Sequence, residues 1–375
     1  DYGFYGDVRV SILTDTTPAE GERIPISTKC DPKHYPHFLS SNPHCGISYD
    51  PATMVIYNTY DGSVSHSHGG RNYVHVLSSG YSDVNKNNYY LESDLSCQGF
   101  FVGSVVNICL NGHKLKLSSA LKLYPNSTLN IFDCQGGGVI ECGSWCVQDI
   151  NNGSARLILH EGTVLGHGSC AVKLSGNDSV VVKGGEIKSE LEGSCAIQVS
   201  GSANSIDITG GSVIGAAAGV RVLDSLPDPN ASASVQELPL LYLSGDGELS
   251  GADYALHMSG LKAGFAELGG SLVYTGSKAD IQLAPGKLIS TSDDFSPEQK
   301  ILICSDNGFS APLGSVHSPA QFSYFESNDS SYIIGCVENN ILEYVRTMRI
   351  SPENAEIQYG ESAGFSVDCP DSSTP

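Results

Sequence analysis

The sequence predicts an all-β chain, a right-handed parallel β-helix with caps at both ends. Three observations carry that expectation: a repeat of about 24 residues, strand-like alternation inside each repeat, and glycine-marked turns at fixed places between the strands. Segments beginning at Val147, Ala171, Ala196 and Gly219 align with one another at nearly even spacing. The pattern returns at Ala255 and Ala279, separated by the same step.

Each unit reads as three short strands. In the unit at Ala171 these are AVKL, SVVVK and EIKSE, interrupted at Ser175-Gly176-Asn177 and Gly184-Gly185. A period of two places Val172 and Leu174 on one side and Lys173 on the other, as a half-buried strand requires. The Gly pair recurs at Gly210-Gly211 and Gly269-Gly270, where the chain must turn sharply or approach the next rung closely. One unit cannot bury its own apolar face; stacking equivalent strands about 4.8 Å apart gives a continuous core.

Organisation follows the repeat. Residues 1–88 read as an irregular N-terminal cap with first rungs, 89–290 as the regular helix, and 291–346 as the C-terminal cap. Residues 347–375 begin a new strand–turn–strand pattern. Asn111-Gly112 marks a tight turn within VNICLNGHKLKL. Between Gly219 and Ala255 the unit is half as long again, and the extra segment LDSLPDPNASASVQELP reads as a loop projecting from the scaffold.

Composition bounds the function. Among 375 residues the formal net charge is −21, which argues against nucleic acid and anionic lipid, since phosphate binding depends on Lys and Arg. No stretch reaches the roughly 18 apolar residues of a membrane span. The chain opens without a basic-then-apolar leader, so the expectation is a mature, extracellular chain, and the 12 cysteines suit disulfides outside cells.

VNICLNGHKLKL, then STLNIFDCQGGGVIE and repeated GG-containing rungs, resemble surface proteins of gut-type Gram-positive bacteria. There an "LCLNGxxI" strand and an "L.I.D..G.G.I" strand open a pectate-lyase-like β-helix. YFESNDSSYIIGCVENNILEY resembles the end of such modules, ISPENAEIQYGESAGFSV the first strands of a bacterial immunoglobulin-like repeat, and GISYDPATMVIYN the opening of carbohydrate-binding clostridial β-helices. The resemblance covers most of residues 46–368 and leaves the Cys- and His-rich N-terminal part unmatched. It implies a cell-surface, often wall-anchored protein for adhesion or glycan binding, a monomer within a larger multidomain chain.

Candidate sites are several. Cys146, Cys170 and Cys195 fall at one repeat position and are expected to stack as an inward ladder of thiols; vertical disulfides or metal binding are the other readings. Cys30, His34, His37 and His44 offer nitrogen and sulfur ligands suited to zinc, while a Cys30–Cys45 disulfide closing a loop is the simpler explanation. Asp224, Asp228 and Glu237 in the loop expected to project could help hold Ca2+ through oxygen ligands, the other reading being a tolerated insertion without a role. Tyr57, Tyr60 and Tyr73 belong to a tyrosine-rich N-terminal part that could stack on sugars, although aromatics also favour strands and caps.

Gly166-His167-Gly168 raises the question of an enzyme, because it matches a short motif of polygalacturonases. Inverting hydrolysis needs two carboxyl groups at the scissile bond. The sequence offers Glu161 one rung before and Glu186 with Lys188 one rung after, without the family's "NxD", "DD" and "RIK". Arg156 and Arg221 lie too many rungs apart to serve one lyase site. No catalytic residue is assigned. The expectation is a non-catalytic, adhesin-like binding module for a glycan or host-surface ligand. The alternatives are a polysaccharide lyase or hydrolase, and a passive stalk or protein-binding scaffold.

Overall fold

The structure, a computed structural model, describes residues 88–150, 153–201, 203–223, 240–260, 263–306, 312–337 and 340–346. It also describes Leu77 and the backbone of the short strands Ile47–Asp50, Val55–Asn58, His66–His68, Arg71–Tyr73, His75–Val76, Asp83–Val84, Arg349–Ser351 and Ser366–Asp368. It is a right-handed parallel β-helix of about 8 turns. Three long sheets of 13, 8 and 11 strands form its faces. Each rung contributes one strand to each face in turn. Val105–Cys109, Lys114–Leu117 and Leu121–Leu123 make one rung, and Thr128–Phe132, Val139–Cys142 and Val147–Asp149 the next.

Apolar residues at equivalent positions stack into vertical ladders that fix the register. The 13-stranded sheet aligns Val106, Leu129, Leu157, Val180, Ile206 and Leu243. The 8-stranded sheet aligns Leu115, Ile140, Val164, Ile187, Val213 and Leu249. The 11-stranded sheet aligns Leu121, Val147, Val172, Ile197, Val220, Leu256, Ile281 and Ile303. All of these side chains are buried in one continuous core. Burying one such side chain contributes about 1.5–3 kcal/mol, so a register slip that turned a ladder outward would be opposed at every rung.

The glycine pairs are close approaches between rungs. Gly185, at φ +75°, would place a Cβ 2.2 Å from the Gly162 carbonyl oxygen, and Gly211, at φ +91°, 2.4 Å from that of Gly185. A side chain at either position meets both a forbidden dihedral and the backbone of the rung beneath. Asn111 and Gly112 turn with φ of 54° and 77°, consistent with the tight turn expected there.

Parallel pairing already links His75–Val76 to Asn88–Tyr90 and Asp83–Val84 to Phe101–Val102, so the helix starts before position 89. At the other end Ile301–Ser305 pairs in parallel with Phe325–Ser327, so rungs persist beyond position 290. A 3-10 turn, Pro319–Tyr324, then leads to an antiparallel hairpin of Tyr332–Val337 and Ile341–Arg346. The second strand of this hairpin joins the 13-stranded sheet through Pro312–Ser315 and packs Leu342 into the core. That hairpin supplies the C-terminal cap a solenoid needs over its last apolar face.

Candidate functional site

The outer face of the 11-stranded sheet carries a single lateral row of polar side chains. Its members alternate with the buried ladder: in the strand Cys170–Leu174, Val172 and Leu174 are buried and Lys173 lies between them on the outside. Parallel pairing carries this position from rung to rung. Lys122 lies opposite Gln148, and the row continues through Lys173, Gln198, Arg221, His257 and Gln282. Below Lys122 the register passes through Phe101 to Asp83, which ends the row at that side with an acidic residue. No Asp or Glu occupies the row from Phe101 to Gln282, although the chain carries a net charge of −21. All these residues are half-buried except Gln282, which is buried.

Aromatic rings flank the cations. Lys122 Nζ lies 5.1 Å from the centre of the Phe101 ring, and Lys173 Nζ 4.7 Å from that of Trp145. At such distances the ring face attracts the ammonium and holds it against the sheet. Trp145 donates from Nε1 to Ser169 Oγ at 3.2 Å, which fixes its plane. Tyr124 is exposed and stacks on Phe101 at 5.6 Å. Further along, Tyr254 lies 5.3 Å from the His257 ring, with Lys278 Nζ 5.8 Å above the tyrosine.

Arg221 is the most constrained cation of the row. Its Nη2 donates to the Gly193 carbonyl at 3.0 Å, while its buried Nε has no hydrogen-bond acceptor among the described residues. A guanidinium keeps its charge at any ordinary pH, so Arg221 is a permanent cation of the row. His257 is driven the other way. Burial, and then the neighbouring Arg221 charge, hold its pKa below the ordinary histidine range, so at neutral pH it is an uncharged imidazole. Gln282 donates from Nε2 to Asp306 Oδ2 at 3.0 Å, which closes the row at that end.

Cys170 and Cys195 are register partners and form a small buried cluster with Ala218, apart from the main core, against which Trp145 packs. The hydrogen bond between the thiols, reinforced by burial, keeps Cys170 protonated. Cys146 is not the third member expected of this stack. Val147 pairs with Val172, so Cys146 falls opposite Ala171 and belongs to the main core. An even repeat puts Cys146 one position out, because packing Val147 over Val172 fills the core better than stacking two thiols.

Gly166-His167-Gly168, read from the sequence as a turn, leads out of the strand Thr163–Gly166 of the 8-stranded sheet. His167 sits between Glu141 and Glu190, 3.7 Å from each, and not beside Glu161 or Glu186. Glu141 in turn pairs with Lys114 at 2.8 Å and Lys116 at 3.6 Å, and Lys188 with Glu190 at 3.4 Å. The Lys114 contact holds the Glu141 carboxyl below the ordinary range, so it stays ionised. Signs alternate within this network, and its ion pairs satisfy one another. Sequence reasoning misses it because its members come from successive rungs of one sheet.

The remaining expected residues divide in two. Cys30, His34, His37, His44, Cys45, Tyr60, Asp224, Asp228 and Glu237 lie outside the described residues. Tyr57 and Tyr73 lie on described backbone, paired with Ser48 and His66 in short antiparallel ribbons; their side chains do not. On either side of residues 224–239, Leu223 donates to the Val199 carbonyl and Leu240 to that of Phe265. Among the described residues no three His, Cys, Asp or Glu side chains converge as a metal site. A cleft of about 390 Å³ at the C-terminal cap is lined by Phe322, Tyr332 and Ile333 among others. Compared with protein-family models, with curated proteins and with solved structures, the chain finds no match.

Proposed function

We propose that this chain is an extracellular, non-catalytic binding module that holds a glycan along the outer face of its 11-stranded sheet. The observation that carries this reading is the row Lys122, Gln148, Lys173, Gln198, Arg221 and His257, with rings at Phe101, Tyr124, Trp145 and Tyr254 beside it. Amides and cations offer hydrogen bonds to hydroxyl oxygens, and aromatic faces stack on sugar rings. A rigid scaffold presents these groups with little ordering cost on binding. The resemblance to Gram-positive surface proteins fits the same reading, with residues 347–375 opening an immunoglobulin-like repeat. Arg349–Ser351 pairs antiparallel with Ser366–Asp368, a single ribbon that by itself defines no domain.

Hydrolysis is the weaker alternative. It asks for a carboxylic acid that keeps its proton, whereas Glu141, beside His167, is pushed the other way. A passive spacer gives no reason for cations and amides to alternate along one row without a carboxylate between Lys122 and Arg221. The test is a glycan array probed with the purified protein and its Trp145→Ala variant. Selective binding that the substitution weakens, with no release of reducing ends, supports the module. A positive reducing-end assay would replace it with an enzyme, and silence on every glycan would sink it.

A further inference from the structure

The order of side chains along the row is more specific than its charge. From Lys122 to Arg221 it reads cation, amide, cation, amide, cation: Lys122, Gln148, Lys173, Gln198, Arg221. One rung separates neighbours, so the cations recur at about 9.6 Å, twice the strand spacing of roughly 4.8 Å. Taking the glycan-binding reading above as its premise, we infer that the ligand is a linear acidic polysaccharide lying along the helix axis, in which a carboxylated or sulfated sugar alternates with a neutral one. Two successive sugars of an extended chain span a comparable length, so each acidic sugar would meet a cation and each neutral sugar an amide.

The chemistry of the individual positions agrees with that phasing. Lys122 and Lys173 are each held by a ring, which aims the ammonium and offers a platform beside it. Arg221 is half-buried and keeps its charge at any ordinary pH, so it offers a permanent cation to an oxyanion. Gln148 and Gln198 offer both a donor and an acceptor, which matches a hydroxyl and not an anion. The carboxylates near the row's far end are both paired: Asp253 with Lys278 at 3.1 Å, and Asp306 as acceptor from Gln282, the last member of the row.

The experiment measures affinity of the whole chain for soluble polymers at two salt concentrations. The probes are hyaluronan (alternating carboxylated and neutral sugars), chondroitin sulfate (the same plus sulfate), neutral dextran and polyglutamate. The expected result is salt-sensitive binding of hyaluronan, with dextran and polyglutamate much weaker. Chondroitin sulfate, whose second sugar is charged as well, should bind no more tightly than hyaluronan, and a clear preference for it would overturn the alternation. Lys173→Gln and Arg221→Gln should each weaken binding roughly tenfold or more, the worth of a charge-assisted hydrogen bond. Lys114→Gln with Lys116→Gln, on another sheet, should not. Arg221→Lys, which keeps the charge, should recover part of the loss and separates binding from misfolding, checked by far-UV dichroism.

Equal binding of polyglutamate, or unchanged affinity in Lys173→Gln and Arg221→Gln, overturns the inference. Salt-insensitive binding of dextran that Trp145→Ala abolishes also overturns it, while leaving the glycan-binding module standing. No binding to any glycan overturns both.

Discussion

A buried carboxyl makes this fold less stable as the pH rises, and one substitution isolates the effect. Asp178 is 1% exposed, and its two oxygens accept the backbone N–H groups of Ala155 and Ser175, both at 2.9 Å. Burial pushes its pKa up from 3.8 to about 7 despite those bonds, and the neighbouring Asp149, itself buried, adds to the rise. The folded state therefore binds a proton that the unfolded chain has already released between those values. Its contribution is fully present below about pH 4 and is lost as pH rises through about 7, with a slope of up to about 1.4 kcal/mol per pH unit. Integrated over that window the loss is on the order of 4 kcal/mol. Asp178→Asn cannot ionise, yet it keeps one acceptor oxygen and turns an NH2 toward a backbone N–H, which costs about 1–3 kcal/mol. The variant should be clearly less stable than the natural chain at pH 5, and the gap should close or reverse by pH 8. Urea unfolding at half-unit steps from pH 5 to 8.5 reads this directly. The window avoids the acid range, where lowered carboxyls such as Glu141 lose their own contribution as pH falls. A gap that stays constant across the window would refute the buried-proton account. Asp149→Asn, which removes the neighbouring carboxylate, should make the slope shallower.

Other outcomes follow from single positions. Gly185→Ala should destabilise by more than about 1 kcal/mol, because its Cβ meets the Gly162 carbonyl at a positive φ, whereas Gly143→Ala, with open space around it, should be nearly silent; thermal melts compare the two. Ile197→Ala removes a fully buried ladder residue and should cost about 2–5 kcal/mol in urea unfolding. Trp145 is the one tryptophan in the chain and sits beside Lys173, so ligand binding at the row should change intrinsic fluorescence; saturating binding without any change would place the ligand elsewhere. Among the described cysteines, Cys134 is exposed while Cys170 and Cys195 are buried, so a thiol reagent under native conditions should label Cys134 first by peptide mass mapping.

Much of the fold is legible in the sequence because its signals are local. Val172, Lys173 and Leu174 display the two-residue period of a half-buried strand, and Gly184-Gly185 marks a turn wherever the chain must pass close to its neighbour. The row itself is present in the sequence as the middle residue of LKL, VQD, VKL, IQV, VRV, LHM and IQL. It is hard to see there because the steps along Lys122, Gln148, Lys173, Gln198, Arg221, His257 and Gln282 drift by a residue or two around 25, and the one from Arg221 to His257 is 36. The same irregularity misplaces Cys146 by one position and hides the meeting of Glu141, His167 and Glu190.

The sequence by itself determined that this protein is a stack of three-stranded rungs, because alternation and turn chemistry act over short stretches of chain and need no knowledge of the neighbouring rung. Only the tertiary structure decided which side chains face one another across rungs. Turns absorb differences in rung length, and the strands slide until Val147, Val172, Ile197 and Val220 lie over one another in the core. The outer row of cations and amides is aligned as a consequence of burying that apolar ladder, since each polar residue is carried by the strand whose register the core has set.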